Sequence, residues 1–398
     1  MKTKNLIFII IFICGYTTAV FSQKISDTQL VGKIADVRDK SIKIGGDSIP
    51  ISETGEFTFS SKIKSPILYD LSYGQLNWVV YLEPNCKTEL KLDSGDLSSL
   101  EYKGKLAVPN YYLKKACLLD QSVNDFNFMM QLYLKNETGF LLTIDSLINA
   151  YQAPLSSARE ENVKLSKDFI KLFKAYTSLK VYNLIVHYPD YHRQVTGEEV
   201  TLSKAGLDYI NPTIADNIEL LDLSCCQEFC RLWIDYITDM LAAKNTEHKD
   251  YNHKKMDAVF GYLPKLFTNH ELSDYWFSEY LSEFIQSIGM ANSEKYIKDF
   301  YSNSKTEVYR TRIKELCNSI LEGQKDHIVK TYKSINGYNL QAHIFYPDNF
   351  KKGKKRSAIA FFHGGGWTTG NYSWVFNSAK ILFQSWNDWN SGSIQTFK

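Results

Sequence analysis

The sequence has almost no excess of either charge. Its 46 lysines and arginines nearly balance 44 aspartates and glutamates over 398 residues, which leaves a formal net charge of +2 at neutral pH. This balance gives no support to a nucleic-acid partner or to a polybasic membrane contact, and we expect neither. Because 44% of the residues are hydrophobic, the chain is long enough for about two or three domains with apolar cores.

The sequence also lacks any Cys-x-x-Cys pair, which argues against a thioredoxin-type redox role. Its seven cysteines are not spaced as a dense disulfide framework. Cys225, Cys226 and Cys230 lie in a segment with helical periodicity, where positions 226 and 230 share a face. A metal site is the alternative, but no companion pair or histidine lies nearby at ligand spacing. We predict buried helix thiols, with no metal and no cofactor.

No apolar run beyond the N-terminus is long enough to span a bilayer. Residues 1–22 have the pattern of a secretory signal peptide, with a positive start, a short apolar stretch and cleavage before Gln23. The alternatives are an uncleaved anchor and a lipoprotein modified at Cys14, which the bulky Ile13 disfavours. We expect a secreted or periplasmic protein of the cell envelope that meets the membrane only through this peptide.

Residues 23–106 are predicted to form an antiparallel β-sandwich. Short runs of alternating apolar and polar residues are separated by turns at Gly45-Gly46-Asp47 and Thr54-Gly55-Glu56. The region resembles the small β-domain at the front of many secreted bacterial envelope proteins. This resemblance is carried by Gly55-Glu56-Phe57, Tyr81-Leu82-Glu83-Pro84 and Tyr102-Lys103-Gly104-Lys105. It implies a structural or docking module and names no chemistry.

Residues 107–323 are glycine-poor and periodic at three to four residues, which predicts about six to eight packed helices. His187, Asp190 and His192 could suggest a metal cluster. Because Pro189 is expected to break the helix and no second group of ligands is evident, we predict a solvated interhelical loop there. The many tyrosines could stack on carbohydrate, but at helical spacing they are more often core and rim residues.

From Asp326 the apolar period changes to two. The segments 327–335 and 338–347 flank Asn336-Gly337, a dipeptide that favours the tight type I′ turn of a β-hairpin. A basic linker follows. The continuous apolar run over 357–363 then predicts a strand buried on both faces of a parallel sheet.

The clearest chemical pattern follows that predicted strand. The segment His363-Gly364-Gly365-Gly366-Trp367, with Gly370 three positions later, leads into a helical run over 371–383. This order resembles the α/β-hydrolase superfamily, in particular its HGGGW carboxylesterases, including feruloyl- and acetyl-esterase-like bacterial enzymes. The resemblance spans 327–383, since the preceding hairpin fits that domain's opening strands. A plain glycine turn after a strand is the alternative.

The resemblance implies an oxyanion hole for acyl transfer. Gly364 and Gly365 would donate backbone N–H groups to the oxygen that becomes negatively charged, and Gly366 would shape the turn. His363 would brace the loop and Trp367 would pack beneath it, with Gly370 in a supporting position. The implied substrate is a small-molecule or polysaccharide ester.

The serine, histidine and acid that complete such a site are missing from this sequence. The nucleophile elbow Gly-x-Ser-x-Gly does not occur, and no histidine follows Gly370. When the tail from Trp386 is read one base later, permitted codons give Gly-Met-Ile-Gly-Ile-Ala-Val-Gln-Tyr-Arg-Leu. That looks like the strand expected after the first helix of such an esterase. We therefore expect a frameshift near residues 381–384, a truncated hydrolase and an inactive chain.

The predicted fold is multidomain. It combines an N-terminal antiparallel β-sandwich, a central all-α helical region and an incomplete α/β-hydrolase fragment over 327–398. The predicted function is that of a secreted serine carboxylic-ester hydrolase that lacks its nucleophile in this chain. The alternative is a non-catalytic envelope binding or scaffold protein built on the sandwich and the helices.

Overall fold

The structure is a computed structural model that describes residues 27–246, 250–335, 338–346, 353, 358–362 and 372–381. Along this part of the chain, a β-rich region is followed by a helical region and then by a short β-hairpin. The predicted order of β-structure, helices and C-terminal strands is confirmed at this level. The predicted signal peptide, with Cys14, lies outside the described residues.

The β-rich region contains eight strands in two four-stranded sheets. The first sheet has the order β4-β1-β7-β8 and the second has the order β3-β2-β5-β6. Strands β1 and β7 run parallel, whereas the other pairs are antiparallel as predicted. The strands are Thr28–Ala35 (β1), Ser41–Ile44 (β2), Asp47–Pro50 (β3), Glu56–Ser61 (β4), Ile67–Tyr73 (β5), Leu76–Leu82 (β6), Lys87–Asp93 (β7) and Asp96–Lys103 (β8).

Alternation of side chains explains the two-layer arrangement. Every second residue of β1 and β7 is buried, and these side chains meet those of the facing sheet, such as Ile42 and Trp78, in a common apolar core. Gly45 and Gly46 have φ values of 55° and 92°. This is the left-handed region that glycine adopts readily, so the chain reverses tightly between β2 and β3 as predicted.

The helical region of the described chain contains ten α-helices. The periodicity of the sequence predicts fewer, about six to eight. Short 3-10 turns at Pro212–Ala215, Ile218–Leu220 and Met290–Asn292 lie between some of them. None of the helices in the described ranges has both the length and the apolar character needed to cross a membrane. The helices are Ala107–Val123 (α1), Phe126–Tyr133 (α2), Glu137–Glu160 (α3), Lys167–Thr196 (α4), Lys204–Asp208 (α5), Ser224–Lys244 (α6), Tyr251–Leu266 (α7), His270–Ile288 (α8), Glu294–Asn303 (α9) and Glu307–Gly323 (α10).

Helix α1 covers the free edges of the two sheets. The buried Asn110 amide accepts a hydrogen bond from the Tyr81 backbone N–H at 2.7 Å and donates one to the Tyr81 carbonyl at 2.9 Å. Lys114 Nζ donates to the carbonyls of Ser98 and Leu100 at 2.5 and 2.7 Å. Because Tyr81 lies on β6 and the two carbonyls lie on β8, α1 satisfies backbone groups at both edges.

Helix α4 passes straight through the segment predicted to be a loop. The Ser166 hydroxyl accepts a hydrogen bond from the Phe169 N–H at 3.1 Å at its start, and the helix continues past Pro189 to Thr196. The predicted interhelical loop is therefore wrong. A proline removes one backbone hydrogen bond from a helix, and packing of the long buried face of α4 offsets this loss.

The sandwich and the helices share one apolar core. Buried side chains of β6, α1 and α4 belong to the same cluster, and the Tyr81 and Phe169 rings meet edge-to-face with centroids 5.1 Å apart. Many helical tyrosines, including Tyr112, Tyr151 and Tyr176, are buried in it, which confirms the prediction that they are core residues.

A β-hairpin follows the helices. It consists of Ile328–Ile335 (β9) and Tyr338–Ile344 (β10), which pair antiparallel. Ile335 is opposite Tyr338, so two residues connect the strands as predicted, although Asn336 and Gly337 themselves lie outside the described residues. Further along, Tyr372–Val375 form a 3-10 turn that continues as helix over residues 376–381.

Residues 358–362 differ from the prediction. They have no regular secondary structure, and they are exposed, with Phe362 at 89%. The run over 357–363 was predicted to be a strand buried on both faces. Such a strand needs hydrogen-bonding neighbours in a sheet, and the described residues place no strand beside it.

Candidate functional site

The predicted oxyanion segment lies outside the described residues. This applies to each residue assigned to it, namely His363, Gly364, Gly365, Gly366, Trp367 and Gly370. The structure describes the hairpin that precedes this segment and the turn and helix over 372–381 that follow it. Side chains from these two elements meet in a cluster of histidine and aromatic rings.

The cluster consists of His327, His343, Phe345, Tyr372 and Phe376, and we call it the histidine cluster. The His343 ring stacks on Tyr372 with centroids 4.0 Å apart. The Phe376 ring lies 5.0 Å from His327 and 5.1 Å from His343. These contacts pack the element that follows the glycine segment onto the hairpin that precedes it.

Three titratable side chains form a hydrogen-bonded chain at this cluster. Asp326 Oδ1 lies 2.8 Å from His327 Nδ1, and His327 Nε2 lies 2.7 Å from His343 Nδ1. A carboxylate only accepts, so His327 carries its proton on Nδ1. With both rings neutral, His343 then donates from Nδ1, and its Nε2 keeps a lone pair. This Nε2 is buried and has no hydrogen-bond partner.

Charge and burial set the protonation of this chain. Lys380 Nζ lies 2.6 Å from Asp326 Oδ2, and hydrogen bonds from Lys380 and His327 hold the pKa of Asp326 below its usual value. Burial and then the neighbouring His327 lower the pKa of His343 to about 4. His343 is therefore neutral at physiological pH. Within this hydrogen-bonded series, the Asp326 carboxylate orients the His327 ring, as the acid of a catalytic triad orients its histidine.

The sequence offered one signal for this cluster, which the prediction did not use. Both histidines lie at the open end of the hairpin, His327 directly before β9 and His343 one residue before the end of β10. A regular hairpin with Ile335 opposite Tyr338 would place His343 opposite Lys330. A register shift between Leu340 and Gln341 moves it to Val329, nearer to His327.

The turn end of the hairpin is anchored to the helical region. The Tyr338 hydroxyl donates to the Asp250 carboxylate, and Asn252 Nδ2 donates to the Tyr338 oxygen at 3.1 Å. The Asn339 N–H donates to Asn292 Oδ1 at 2.8 Å, and Asn292 Nδ2 donates to the Asn339 carbonyl at 3.4 Å. Three side chains of the helical region, Asp250, Asn252 and Asn292, thus hold the hairpin at its turn.

A second group of titratable side chains lies in the core beside the sandwich. The buried Asp120 carboxylate accepts hydrogen bonds from the hydroxyls of Tyr151 and Tyr176, and Lys180 Nζ lies 3.4 Å from it. Burial, and then the Asp120 charge, raises the pKa of Tyr176 well above its usual value. We call these four residues the Asp120 cluster. Since they come from α1, α3 and α4, the cluster joins three helices through one carboxylate.

The predicted helix thiols are confirmed, because Cys225, Cys226 and Cys230 of α6 are free and buried. In the part of the chain that the structure describes, no group of three or more histidine, cysteine, aspartate or glutamate side chains could hold a metal ion. His187 Nε2 lies 3.0 Å from Glu228 Oε1, and His192 donates from Nδ1 to a backbone carbonyl at 2.8 Å. Both histidines therefore have polar partners within the helical region.

Comparisons of this chain with protein-family models, with curated proteins and with solved structures give no match. Its function is therefore inferred from its own residues.

Proposed function

We propose that residues 327–398 are the opening part of an α/β-hydrolase that cleaves carboxylic esters through a serine acyl-enzyme. Gly364, Gly365 and Gly366 would form its oxyanion hole. The observation that carries the proposal is the HGGGW sequence between an apolar run and a helix. Backbone donors aimed at a developing oxyanion are each worth about 2.7–4 kcal/mol in the transition state, and glycines leave that approach open.

The order of the described elements supports this proposal. An antiparallel hairpin comes first, the apolar segment 358–362 follows, and a turn and helix come after the glycine segment. Stacking of Tyr372 on His343 brings that helix against the hairpin. An oxyanion loop needs supports of this kind on both sides, because its donors act only when they are held in place.

The proposal extends to location and substrate. The N-terminal pattern favours export, so we place the protein in the cell envelope or outside the cell. The substrate would be a small-molecule or polysaccharide ester. The chemistry needs no cofactor, since the serine, its base and the oxyanion donors carry out acyl transfer alone.

The first test is the nucleotide sequence from codon 381 onward. The 398 residues contain no Gly-x-Ser-x-Gly, so the proposal requires this elbow downstream, and the frameshift proposed near residues 381–384 places it in another reading frame. We expect that frame to encode the elbow and, after it, an acid and a histidine. If no frame encodes a nucleophile elbow, the proposal is wrong.

The second test is hydrolysis of p-nitrophenyl acetate by the protein with that frame restored. Gly365→Pro removes one backbone N–H, and we expect kcat to fall about 10²–10³-fold. Gly323→Ala is the control, because a Cβ at Gly323 meets nothing within 4 Å. Equal activity of the Gly365→Pro variant and the wild type would contradict the oxyanion assignment.

A non-catalytic scaffold role is the second candidate, and the shared core of the sandwich and helices favours it. In that case the body of the protein, and not the glycine segment, binds an envelope component. Co-sedimentation with isolated envelope polysaccharide tests this role. Binding that survives Gly365→Pro without any ester hydrolysis by the frame-restored protein would favour the scaffold over the hydrolase.

A further inference from the structure

A cleft of about 410 Å³ lies between the helical region and the hairpin. Its walls come from the Met290–Asn292 turn, helices α9 and α10, and strand β10. This volume falls within the range of about 300–1,000 Å³ that is usual for small-ligand sites. The described lining includes none of the residues of the histidine cluster.

The two walls of the cleft are held together by hydrogen bonds. Asn292, which follows the lining residue Ala291, binds both backbone groups of Asn339. Asn339 lies two positions before the lining residue Gln341. The wall from the helical region and the wall from the hairpin therefore keep a fixed separation, which is what a preformed binding site requires.

The cleft also touches the element that follows the glycine segment. Gln324 lines the cleft, and its Nε2 donates to the Tyr372 hydroxyl oxygen at 3.5 Å. Tyr372 comes two positions after Gly370 in the chain. A molecule in the cleft would thus lie beside the structure that supports the proposed oxyanion loop.

The described lining includes four polar side chains, namely one carboxylate, one ammonium group and two amides. Glu294 and Lys298 lie one turn apart on α9 and put one carboxylate and one ammonium at the exposed rim. Gln324 and Gln341 add two half-buried amides, each of which both donates and accepts. Among the described residues, the polar lining therefore has no net charge and presents donors and acceptors together.

The remaining lining is apolar. Met290, Ile297 and Cys317 contribute half-buried side chains to it. A surface of this kind suits a ligand with a C–H face next to a ring of hydroxyls. A phosphate or other strongly anionic group would meet the Glu294 carboxylate, and a cation would meet the Lys298 ammonium, so charged ligands gain little here.

We propose that this cleft binds a neutral sugar unit of a carbohydrate ester. The assignment rests on the proposed hydrolase function, and it names the alcohol part of the substrate. Sugar hydroxyls donate and accept, which matches the amides of Gln324 and Gln341 and the charged pair at the rim. The apolar C–H face of the sugar packs against Ile297 and Met290.

Cys317 provides a readout that needs no ester hydrolysis. Its thiol is half-buried in the cleft, whereas the other described cysteines are buried. The full chain is treated with iodoacetamide, and peptide mass spectrometry follows alkylation of Cys317. With cellobiose at about ten times its Kd, the unliganded fraction and the alkylation rate should fall about tenfold. Digalacturonate, a disaccharide with two carboxylates, should leave the rate unchanged.

The other outcomes would overturn the proposal. If cellobiose leaves the rate of Cys317 alkylation unchanged up to its solubility limit, the cleft does not bind neutral sugars. If digalacturonate protects Cys317 as well as cellobiose does, the neutral assignment is wrong. Continued protection of Cys225 and Cys230 from alkylation shows in each experiment that the helical region remains folded.

A matched pair of variants places the sugar in the cleft. Gln341→Ala removes one amide, and we expect the cellobiose concentration for half-protection to rise about three- to tenfold. Gln152→Ala removes an exposed amide on α3 that is not part of the lining, and it should leave that concentration unchanged. The same half-protection in both variants and the wild type would contradict the assignment of Gln341.

The two proposals fail in different ways. Protection by cellobiose together with an absence of hydrolysis by the frame-restored enzyme would leave a sugar site and overturn the hydrolase. Hydrolysis without protection of Cys317 would leave the hydrolase and overturn this site.

Discussion

At the junction between the sandwich and the helices, the Asn110 amide that crosses to β6 is buried, whereas the polar side chains that join the helices to the hairpin are half-buried or exposed. Asn110 is fully buried where it binds the edge of β6, and the Asp120 cluster lies in the same core. Tyr338 and Asn292 are half-buried at the hairpin. Removing a partner therefore leaves an unpaired group in an apolar environment at the first junction, and near water at the second.

This difference indicates how each junction opens. The sandwich and the helices share one apolar core, so we expect their junction to come apart only when the protein unfolds as a whole. The hairpin has one largely exposed strand, β9, one half-buried strand, β10, and a few polar anchors. We expect it to open locally while the rest of the molecule stays folded.

The largest expected effect is at Asp120. Asp120→Ala leaves Lys180 without its ion pair and two tyrosine hydroxyls without their acceptor, so the free energy of unfolding should fall by about 3 kcal/mol. Urea unfolding monitored by circular dichroism measures it. The control is Asp190→Ala on α4, which removes only the exposed pair with Arg193 and should change stability by less than about 1 kcal/mol. Similar losses in both variants would remove the distinction between buried and exposed partners.

A smaller loss is expected at the edge of β6. Asn110→Ala leaves the Tyr81 N–H and carbonyl unpaired in the core, and the free energy of unfolding should fall by about 2 kcal/mol. The same urea experiment measures it. Asn303→Ala is the control, since that exposed amide only donates to the Asp299 carbonyl of its own helix. Full stability of Asn110→Ala would show that α1 does not stabilise the edge through this residue.

At the second junction we expect a local effect. Tyr338→Phe removes the hydroxyl that binds Asp250 and Asn252, so amide hydrogen exchange in β9 and β10 should accelerate about three- to tenfold. The urea midpoint should stay unchanged. Tyr332→Phe is the control, because Tyr332 is 67% exposed on β9. If Tyr338→Phe lowers the urea midpoint instead, the hairpin belongs to the same cooperative unit as the helices.

The smallest expected effect depends on pH and concerns the helix over 372–381. The pKa of His343 falls from 6.5 to about 4 on packing, because burial and then His327 disfavour its charged form. The stabilisation of this packing is therefore complete above pH 6.5 and is lost as the pH falls from 6.5 towards 4. The groups around His343 are His327, Tyr372 and, through His327, the Asp326–Lys380 pair.

Hydrogen exchange of the peptide 372–381, corrected for the intrinsic effect of pH, measures this loss. We expect protection to decrease between pH 6.5 and 4 in the wild type. His343→Gln introduces a side chain that does not titrate, so the decrease should become smaller. An unchanged pH profile in this variant would assign the effect to another group.

Periodicity predicted most of the strands and helices, and it failed where buried residues break the period. Strand β8 does not show the period of two, because its buried residues Leu97 and Leu100 are three apart, beside a register shift in its pairing with β7. Pro189 was taken as a helix end, since a proline is unfavourable there in an isolated helix. The packing that keeps α4 intact comes from other elements, which a local pattern does not contain.

The candidate sites divide in the same way. The glycine segment is a contiguous pattern, so the sequence alone predicted it, and it stays a prediction because these residues lie outside the described ranges. The Asp120 cluster joins three helices, and the cleft joins the helical region to the hairpin. Such groupings depend on how elements pack against one another, which composition and spacing do not encode. In the hairpin, the positions of the side chains on β10 also depend on a one-residue register shift.

The parallel pairing of β1 with β7 determines when the first sheet can be completed as the chain is synthesised. Strand β1 emerges first and finds β4 early, but its other neighbour in the sheet follows only after about sixty residues. In the second sheet, β2 with β3 and β5 with β6 are neighbours along the chain and pair soon after they are made. The backbone hydrogen-bonding groups on one edge of β1 therefore remain unpaired until β7 has been synthesised and has emerged from the ribosome.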